Sequence, residues 1–190
     1  MCCARGDGLD TLGMLLDQLR LGYPYGIDEQ HEKLFEICER LKRLTVDRIG
    51  NAGEIGTLSG VQRAVRAGLV SETKVDTETL RACADLVCYA MEHFQWEQEM
   101  LAKVDVLIER KHPDLYFQFA GHYRRHISEH ASLHQHALIY RSQFEEHLVS
   151  ALSLYVFVRH WLISHISKTD RELSYWCKVA DGLPATPPAP

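Results

Sequence analysis

The sequence predicts an all-α fold, an up-down-up-down four-helix bundle with an N-terminal extension and a long insertion between the first and second bundle helices. Three observations lead to this prediction. Four long segments carry apolar residues at helical spacing, glycine and proline separate those segments, and no segment alternates as a strand does. A composition of 46% hydrophobic and 25% charged residues is ordinary for a soluble globular chain.

The first bundle helix is predicted to run from Asp28, a favourable N-cap residue, to about Leu44. Its apolar positions are Leu34, Phe35, Ile37, Cys38, Leu41 and Leu44. Residues 1–27 are interpreted as an extension with a short helix over Asp10–Leu21. The insertion covers about 45–76 and holds five of the chain's 12 glycines, so we expect a loop that includes at most one short helix, near Val61–Ala67.

The other three bundle helices complete a domain over residues 28–180. The second helix is expected from about Thr77 to Val104, with six residues toward the core: Leu80, Ala84, Val87, Met91, Phe94 and Leu101. The third should begin at Pro113 or Asp114 and end near His147. The fourth should run from about Ser150 to Cys177, and residues 181–190 then form a proline-rich linker or tail.

Composition also limits the partners. A formal net charge of -5 gives no reason to expect nucleic acid or an anionic membrane. The longest strongly apolar stretch, Ala151–Val158, is too short to span a bilayer, and the N-terminus has no signal-peptide pattern. The six cysteines form no C-x-x-C pair and are expected to be unpaired and non-catalytic in a reducing cytoplasm.

Histidine is over-represented, with 11 residues, and four short patterns contain metal-ligand types. The patterns are Asp28-Glu29-Gln30-His31, His93-x-x-x-Glu97, His126-x-x-x-His130 and His165-x-x-x-x-Asp170, one on each predicted bundle helix. Residues four apart lie about 40° apart around an α-helix and can reach one site. Residues five apart lie about 140° apart, so His165 and Asp170 should straddle the site.

A single pattern of this kind is more often a surface pair or chance than a ligand pair. The conjunction of four is far more specific, because burying five imidazoles and two carboxylates without metal would be costly. Such a donor set suits iron, zinc or manganese. Seven ligands exceed the capacity of one ion, so two ions bridged by carboxylates are predicted inside the bundle.

The third helix offers alternative registers, because His122/His126 and His130/His134 share the same spacing. If the turn between the third and fourth helices is centred near Leu148, His126 and His130 lie at the heights of Asp170 and His165. The alternatives would lie about 6 Å too low or too high. The remaining histidines are predicted to be surface or supporting residues: His112, His122, His134, His136, His147 and His160.

With these motifs the chain resembles a hemerythrin in its bacterial form. The matching residues are the D-x-Q-H ending at His31, the H-F-x-x-E from His93, the H-x-x-x-H from His126 and the H-I-x-x-x-D from His165. Two departures are a Tyr23-Pro24-Tyr25-Gly26 segment where the family usually has a tryptophan, and a 62-residue separation of His31 from His93 that is longer than usual.

The resemblance implies two iron ions bridged by Glu97, Asp170 and an oxo or hydroxo group. His126, His130 and His165 would complete one iron. His31 and His93 would bind the other and leave it one open position for dioxygen, with nitric oxide or small anions as further candidate ligands. Five residues near the site would form an apolar oxygen pocket, although they would be buried in an ordinary core as well: Leu34, Leu133, Trp161, Leu162 and Ile166.

The favoured function is that of an oxygen or redox sensor domain in a larger bacterial signalling protein, with a C-terminal output domain beyond the proline-rich end. The alternative is a free-standing oxygen carrier or storage protein. A di-iron enzyme is less favoured, because such sites usually use more carboxylates, in E-x-x-H motifs. A metal-free structural bundle is the remaining alternative. No catalytic output motif is found in the 190 residues, so this chain is not expected to be an enzyme.

Overall fold

The structure, a computed structural model, describes residues 14–23, 26–46, 77–145 and 151–188. Its elements are α1 (Ile27–Val46), α2 (Thr77–Lys111), α3 (Tyr116–Glu145), α4 (Ala151–His165), a π-helical turn (Ile166–Asp170) and α5 (Arg171–Ala180). Residues 14–19 form a further short helix. No strand occurs in these ranges, so the predicted all-α helical bundle is confirmed.

The helices pack as a bundle in which α4, the π turn and α5 together form the fourth member. Helix α1 packs against α2 and α4, while α2 also packs against α3 and α5. The short connection 112–115 reverses the chain between α2 and α3. None of the described helices is long and apolar enough to cross a bilayer.

Two apolar clusters fill the described core and lie on either side of a polar layer. One cluster combines Leu34–Leu41 of α1 with Ala82–Leu86 of α2 and Leu154–Ile166. The other combines Ile27 with Leu101–Ile108 and Leu173–Ala180. The predicted metal ligands lie where the two clusters meet along the bundle. Burial of the two clusters therefore fixes the helices whose middle turns carry the polar groups.

The buried face of α2 differs from the one predicted. Leu80 and Met91 are 43% and 38% exposed and Ala84 is exposed as well, whereas Ala82, Cys83 and Leu86 are buried. Phe94 and Leu101 are buried as predicted. The positions that are buried precede the predicted core positions by about one residue, which corresponds to 100° around the helix. The face that contains His93 and Glu97 is the buried one.

Asp28 does not cap its own helix. The Gly26 carbonyl accepts the first helical bond, from the Gln30 amide at 3.2 Å. The Asp28 carboxylate instead accepts bonds from the backbone amides of Leu21 and Gly22, both at 2.8 Å. The N-terminal segment is thereby attached to the first turn of α1, three residues before His31.

Several other boundaries also differ from the predictions. Helix α2 extends to Lys111 rather than Val104, and α3 begins at Tyr116 rather than at Pro113 or Asp114. The fourth member continues to Ala180 and ends in a Schellman motif: Leu183 N–H donates to the Lys178 carbonyl at 2.8 Å and Gly182 N–H to the Val179 carbonyl at 3.1 Å. Gly182 adopts the left-handed φ of 71° that this motif requires.

Some predictions fall on residues that the structure does not describe. Most of the insertion, including the short helix near 61–67, lies outside the described residues, as do the start of the N-terminal helix and the turn near Leu148. Residues 183–188 of the tail contain neither helix nor strand. The described cysteines, at positions 38, 83, 88 and 177, are free thiols.

Candidate metal centre

All seven predicted ligands come together in the interior of the bundle. Their exposed fractions lie between 0% and 3%. They form two overlapping groups whose candidate ligand atoms lie within 4.8 Å of one another. The first group is Glu97, His126, His130 and His165, and the second is His31, His93, Glu97 and Asp170.

Glu97 belongs to both groups because its two oxygens face different histidines. Its Oε1 lies 3.2 Å from His93 Nε2. Its Oε2 lies 3.2 Å from His126 Nε2 and 3.0 Å from His130 Nε2. One carboxylate therefore presents one oxygen to each histidine set, which is the arrangement of a bridging ligand.

Asp170 divides its oxygens in the same way. Its Oδ2 lies 3.2 Å from His31 Nε2, whereas its Oδ1 lies 3.0 Å from His165 Nε2 and 3.7 Å from His126 Nε2. The two carboxylates thus separate a set of three histidines from a set of two. Every one of the five rings presents its Nε2 atom to this centre.

The π-helical turn explains how Asp170 reaches the same site as His165. From ideal α-helical geometry we expected residues five apart to point in directions about 140° apart. That expectation was wrong, because residues 166–170 form a π turn, which is wider than an α turn and closes i→i+5 bonds. The wider turn brings residues five apart onto one side. Turns of this type are frequent at functional sites.

The buried atoms of the centre fit a metal pair. Several make no hydrogen bond within the described structure: His31 Nε2, His93 Nε2, Glu97 Oε1 and both Asp170 carboxylate oxygens. Buried polar atoms without partners are costly. Two ligand atoms that bind one ion at right angles, each about 2.1 Å from it, lie about 3.0 Å from each other. Most of the distances between a histidine Nε2 and a carboxylate oxygen in this centre are 3.0–3.2 Å, close to that value.

The electrostatics of the centre favour ligand-competent carboxylates. Burial would raise the pKa of Glu97, but its contacts with His93, His126 and His130 outweigh burial and hold this pKa well below its usual value. The pKa of Asp170 is lowered as well, since the attraction of His165 outweighs burial and the repulsion of Glu97. Both groups are therefore ionised, as metal ligation requires.

The histidines differ in their protonation. Burial lowers the pKa of His93 to about 4 and also lowers the pKa of His130, so both imidazoles are neutral near pH 7. The pKa of His165 is raised well above its usual value, because Asp170, Glu129 and Glu97 together outweigh its burial. A metal bound by His165 would displace that proton.

Two supporting residues were missed by the sequence reasoning. Gln30 Oε1 accepts a bond from His93 Nδ1 at 3.0 Å. Glu129 Oε2 accepts bonds from His165 Nδ1 at 2.9 Å and from Thr169 Oγ1 at 2.7 Å. Such bonds fix the tautomer that leaves Nε2 free for a metal. Both residues were visible within the motifs, since Gln30 precedes His31 and Glu129 precedes His130.

His122 lies next to the centre but in neither ligand group. It is buried, its ring centroid lies 5.3 Å from that of His126, and its Nδ1 lies 3.3 Å from Glu172 Oε2. Arg125 in turn donates to both Glu172 oxygens at 3.0 and 3.1 Å. The structure thus places His126 and His130 beside the shared carboxylates. His122 instead packs against His126 and contacts Glu172.

The predicted oxygen-pocket residues are mostly buried. Leu34, Leu133, Leu162 and Ile166 are buried, and Trp161 is half-buried. The Trp161 ring stacks on His165 at a centroid distance of 4.4 Å, which places it beside the three-histidine set. Phe94, which was expected only in the core, stacks on His130 at 4.0 Å and contacts Trp161 edge-on.

Comparison with known proteins supports the resemblance seen in the sequence. The family model described as the hemerythrin HHE cation binding domain matches residues 25–177. Neither the curated proteins nor the solved structures yielded a match. The matched range contains the whole His/Glu/Asp cluster, which is capable of holding metal ions. The chain therefore belongs to the hemerythrin family.

Proposed function

We propose that the chain binds dioxygen at a non-haem di-iron centre and serves as the oxygen or redox sensor domain of a larger cytoplasmic signalling protein. The observation that carries the dioxygen-binding part is the unequal division of histidines around two shared carboxylates. Three imidazoles face one side of Glu97 and Asp170, and two face the other.

Counting donors explains why this asymmetry matters. The side with His126, His130 and His165 has five protein donors, because each carboxylate adds one oxygen. The side with His31 and His93 has four. A shared solvent-derived oxygen would bring the first ion to six ligands and the second to five, which leaves one position for an exogenous ligand.

The donor set favours iron over the other candidate metals. Imidazole suits zinc, copper, iron and nickel, whereas magnesium, calcium and manganese favour oxygen donors, and zinc in proteins rarely exceeds four or five ligands. When bound, ferrous ions would supply the electrons for reversible binding of dioxygen. Five of seven donors are histidine, which favours binding over the turnover of carboxylate-rich di-iron enzymes.

The chain's own side chains would keep the site dry. Leu34 lies one turn after His31, and Leu162 and Ile166 flank His165; all three are fully or almost fully buried in one apolar cluster. Exclusion of water limits proton access to a bound anion and strengthens the interactions of the carboxylates with the ions. We propose these residues, with Leu133 and Trp161, as the walls of the oxygen pocket.

Metal analysis and spectroscopy of the purified chain test the metal centre. We expect about two irons per chain, matching the two ligand groups, and an oxo-to-iron absorption band in the oxidised form. Anaerobic reduction should remove the band, and dioxygen should restore a coloured form. Zinc as the sole metal, one ion per chain, or no response to dioxygen would contradict the proposal.

The sensing role is supported by the resemblance to bacterial hemerythrin domains, which are often joined to signalling outputs. A sensor tolerates rapid autoxidation, because the oxidised centre can itself be the signal. A carrier or storage protein needs a long-lived oxygenated form. The decay of the oxygenated form in air-saturated buffer separates the two: conversion within minutes supports sensing, and persistence for hours supports the carrier.

A further inference from the structure

A second site of interest is a surface cleft at the C-terminal end of the fourth bundle member. Its walls come from three parts of the chain: the N-terminal segment at Arg20 and Leu21, one face of α5, and tail residues 184–188. The cleft encloses about 460 Å³, which falls within the range of small-molecule sites, roughly 300–1,000 Å³.

The charge of the cleft is unusual for this acidic chain. Arg20, Arg171 and Lys178 all line it, and no carboxylate is among the lining residues, although the formal net charge is -5. Arg20 is partly neutralised, because it also pairs with Glu32 at 2.8 Å. Arg171 uses one nitrogen to donate to the Gln18 carbonyl at 3.3 Å, which leaves other guanidinium donors for a ligand.

Helix α5 arranges the other groups of the cleft at helical spacing. Ser174 and Tyr175 lie three and four residues after Arg171, and Lys178 lies four and three residues after them, so the four share one face of the helix. Residues 184–188 of the proline-rich tail supply a further part of the lining. The cleft therefore combines cations and the hydroxyl groups of Ser174 and Thr186 with the rings of Tyr175 and of the tail prolines.

We infer that this cleft binds a phosphorylated small molecule of about nucleotide size, with its phosphate between Arg171 and Lys178. The arginine fork matches phosphate oxygens in two-point geometry, and a lysine beside it adds a point charge. The rings of Tyr175 and the tail prolines offer a surface for the planar or apolar remainder of the ligand. The inference is independent of the metal centre, although Arg171 directly follows Asp170.

Isothermal titration calorimetry of the full chain with ADP, pyrophosphate and inorganic phosphate tests the inference. We expect one ADP or pyrophosphate per chain. Binding of ADP should exceed that of inorganic phosphate and weaken as salt rises from about 0.05 to 0.5 M, because added ions screen the phosphate charge. No heat with either ADP or pyrophosphate at low salt would overturn the inference.

Matched variants locate the bound molecule. Lys178→Gln and Arg171→Gln should each weaken ADP binding about tenfold or more, which corresponds to one lost charge-assisted contact. Arg124→Gln, at an exposed cation on α3 outside the cleft, should leave the affinity unchanged. Equal losses in all three variants, or no loss in the two cleft variants, would overturn the assignment. Thermal unfolding checks that each variant is folded. If Arg171→Gln does not fold, the comparison of Lys178→Gln with Arg124→Gln tests the assignment.

Discussion

The three-histidine and two-histidine sets of the metal centre are supported by their surroundings in different ways. In the three-histidine set, Glu129 accepts a hydrogen bond from His165 Nδ1, and Thr169 donates a second one to the same Glu129 oxygen. Trp161 stacks on the same ring, and Phe94 stacks on His130. These contacts fix the ring planes of His165 and His130, so this side of the centre is braced by one hydrogen-bonded ligand and by aromatic packing, whereas Nδ1 of His126 and of His130 makes no hydrogen bond to any described residue.

The two-histidine set has fewer such contacts among the described residues. Gln30 accepts the Nδ1 bond of His93, but neither His31 nitrogen forms a hydrogen bond. The two rings meet edge-to-face at 5.0 Å. Preorganised supports hold ligands rigidly, so we expect the braced side to keep its ion in place while the other side adjusts when an exogenous ligand binds.

Loss of Glu97 should have the largest effect on metal binding, because this carboxylate belongs to both ligand groups. In Glu97→Ala both histidine sets lose an oxygen, and we expect both ions to bind more than a hundredfold more weakly, beyond the roughly 10–100-fold effect of supporting residues. Metal content after gel filtration measures this. Glu99→Ala, at an exposed position on the same helix, is the control; an equal loss there would contradict the assignment.

The next prediction concerns the three-histidine set and its register on α3. His130→Ala should empty or weaken the braced site and abolish the oxo-to-iron band, because His130 Nε2 lies 3.0 Å from Glu97 Oε2. His122→Ala should keep the band and the metal content, since His122 faces Glu172 rather than either shared carboxylate. The reverse pattern would show that the ligands on α3 lie one turn earlier.

The bundle and the convergence of its polar groups could be predicted because periodicity and spacing are local properties of the sequence. His93 and Glu97 are four residues apart, and this spacing alone puts them on one face of an α-helix. Matching heights on antiparallel helices then favoured His126 and His130. These arguments need only regular helix geometry, and they succeed where the helices are regular.

The failures occur where the geometry is irregular or the apolar pattern is ambiguous. No pattern in residues 166–170 signalled a π turn, so Asp170 was expected on the flank of the site. Helix α2 carries apolar residues on more than one face, and only packing against its neighbours buries Ala82 and Leu86 in place of Leu80 and Met91. Glu129 lies inside the H-x-x-x-H motif, but its contacts with His165 and Thr169 are tertiary, and spacing does not encode them.

A smaller effect should come from the residues that orient the ligands. Glu129→Gln removes the ionised acceptor behind His165, and we expect the affinity of the braced site to fall about 10–100-fold. Gln30→Ala removes a neutral acceptor behind His93 and should cost less, since bonds to charged groups are roughly twice as strong. Competition with a chelator gives both affinities. A larger loss in Gln30→Ala would reverse the proposed order of rigidity.

The smallest effect should come from changing the aromatic wall of the braced side while keeping its stacking. Trp161 is half-buried, so Trp161→Phe should retain a ring over His165 and lower the free energy of unfolding by less than about 1.5 kcal/mol, the range of conservative apolar exchanges. Metal content should be unchanged.

Trp161→Ala removes the ring entirely. It should lower the free energy of unfolding further and speed loss of the ion bound by His165. Denaturant unfolding and the rate of iron release measure the two effects. If Trp161→Ala leaves iron release as slow as in the unaltered chain, hydrogen bonding through Glu129, rather than aromatic packing, is what braces the three-histidine side.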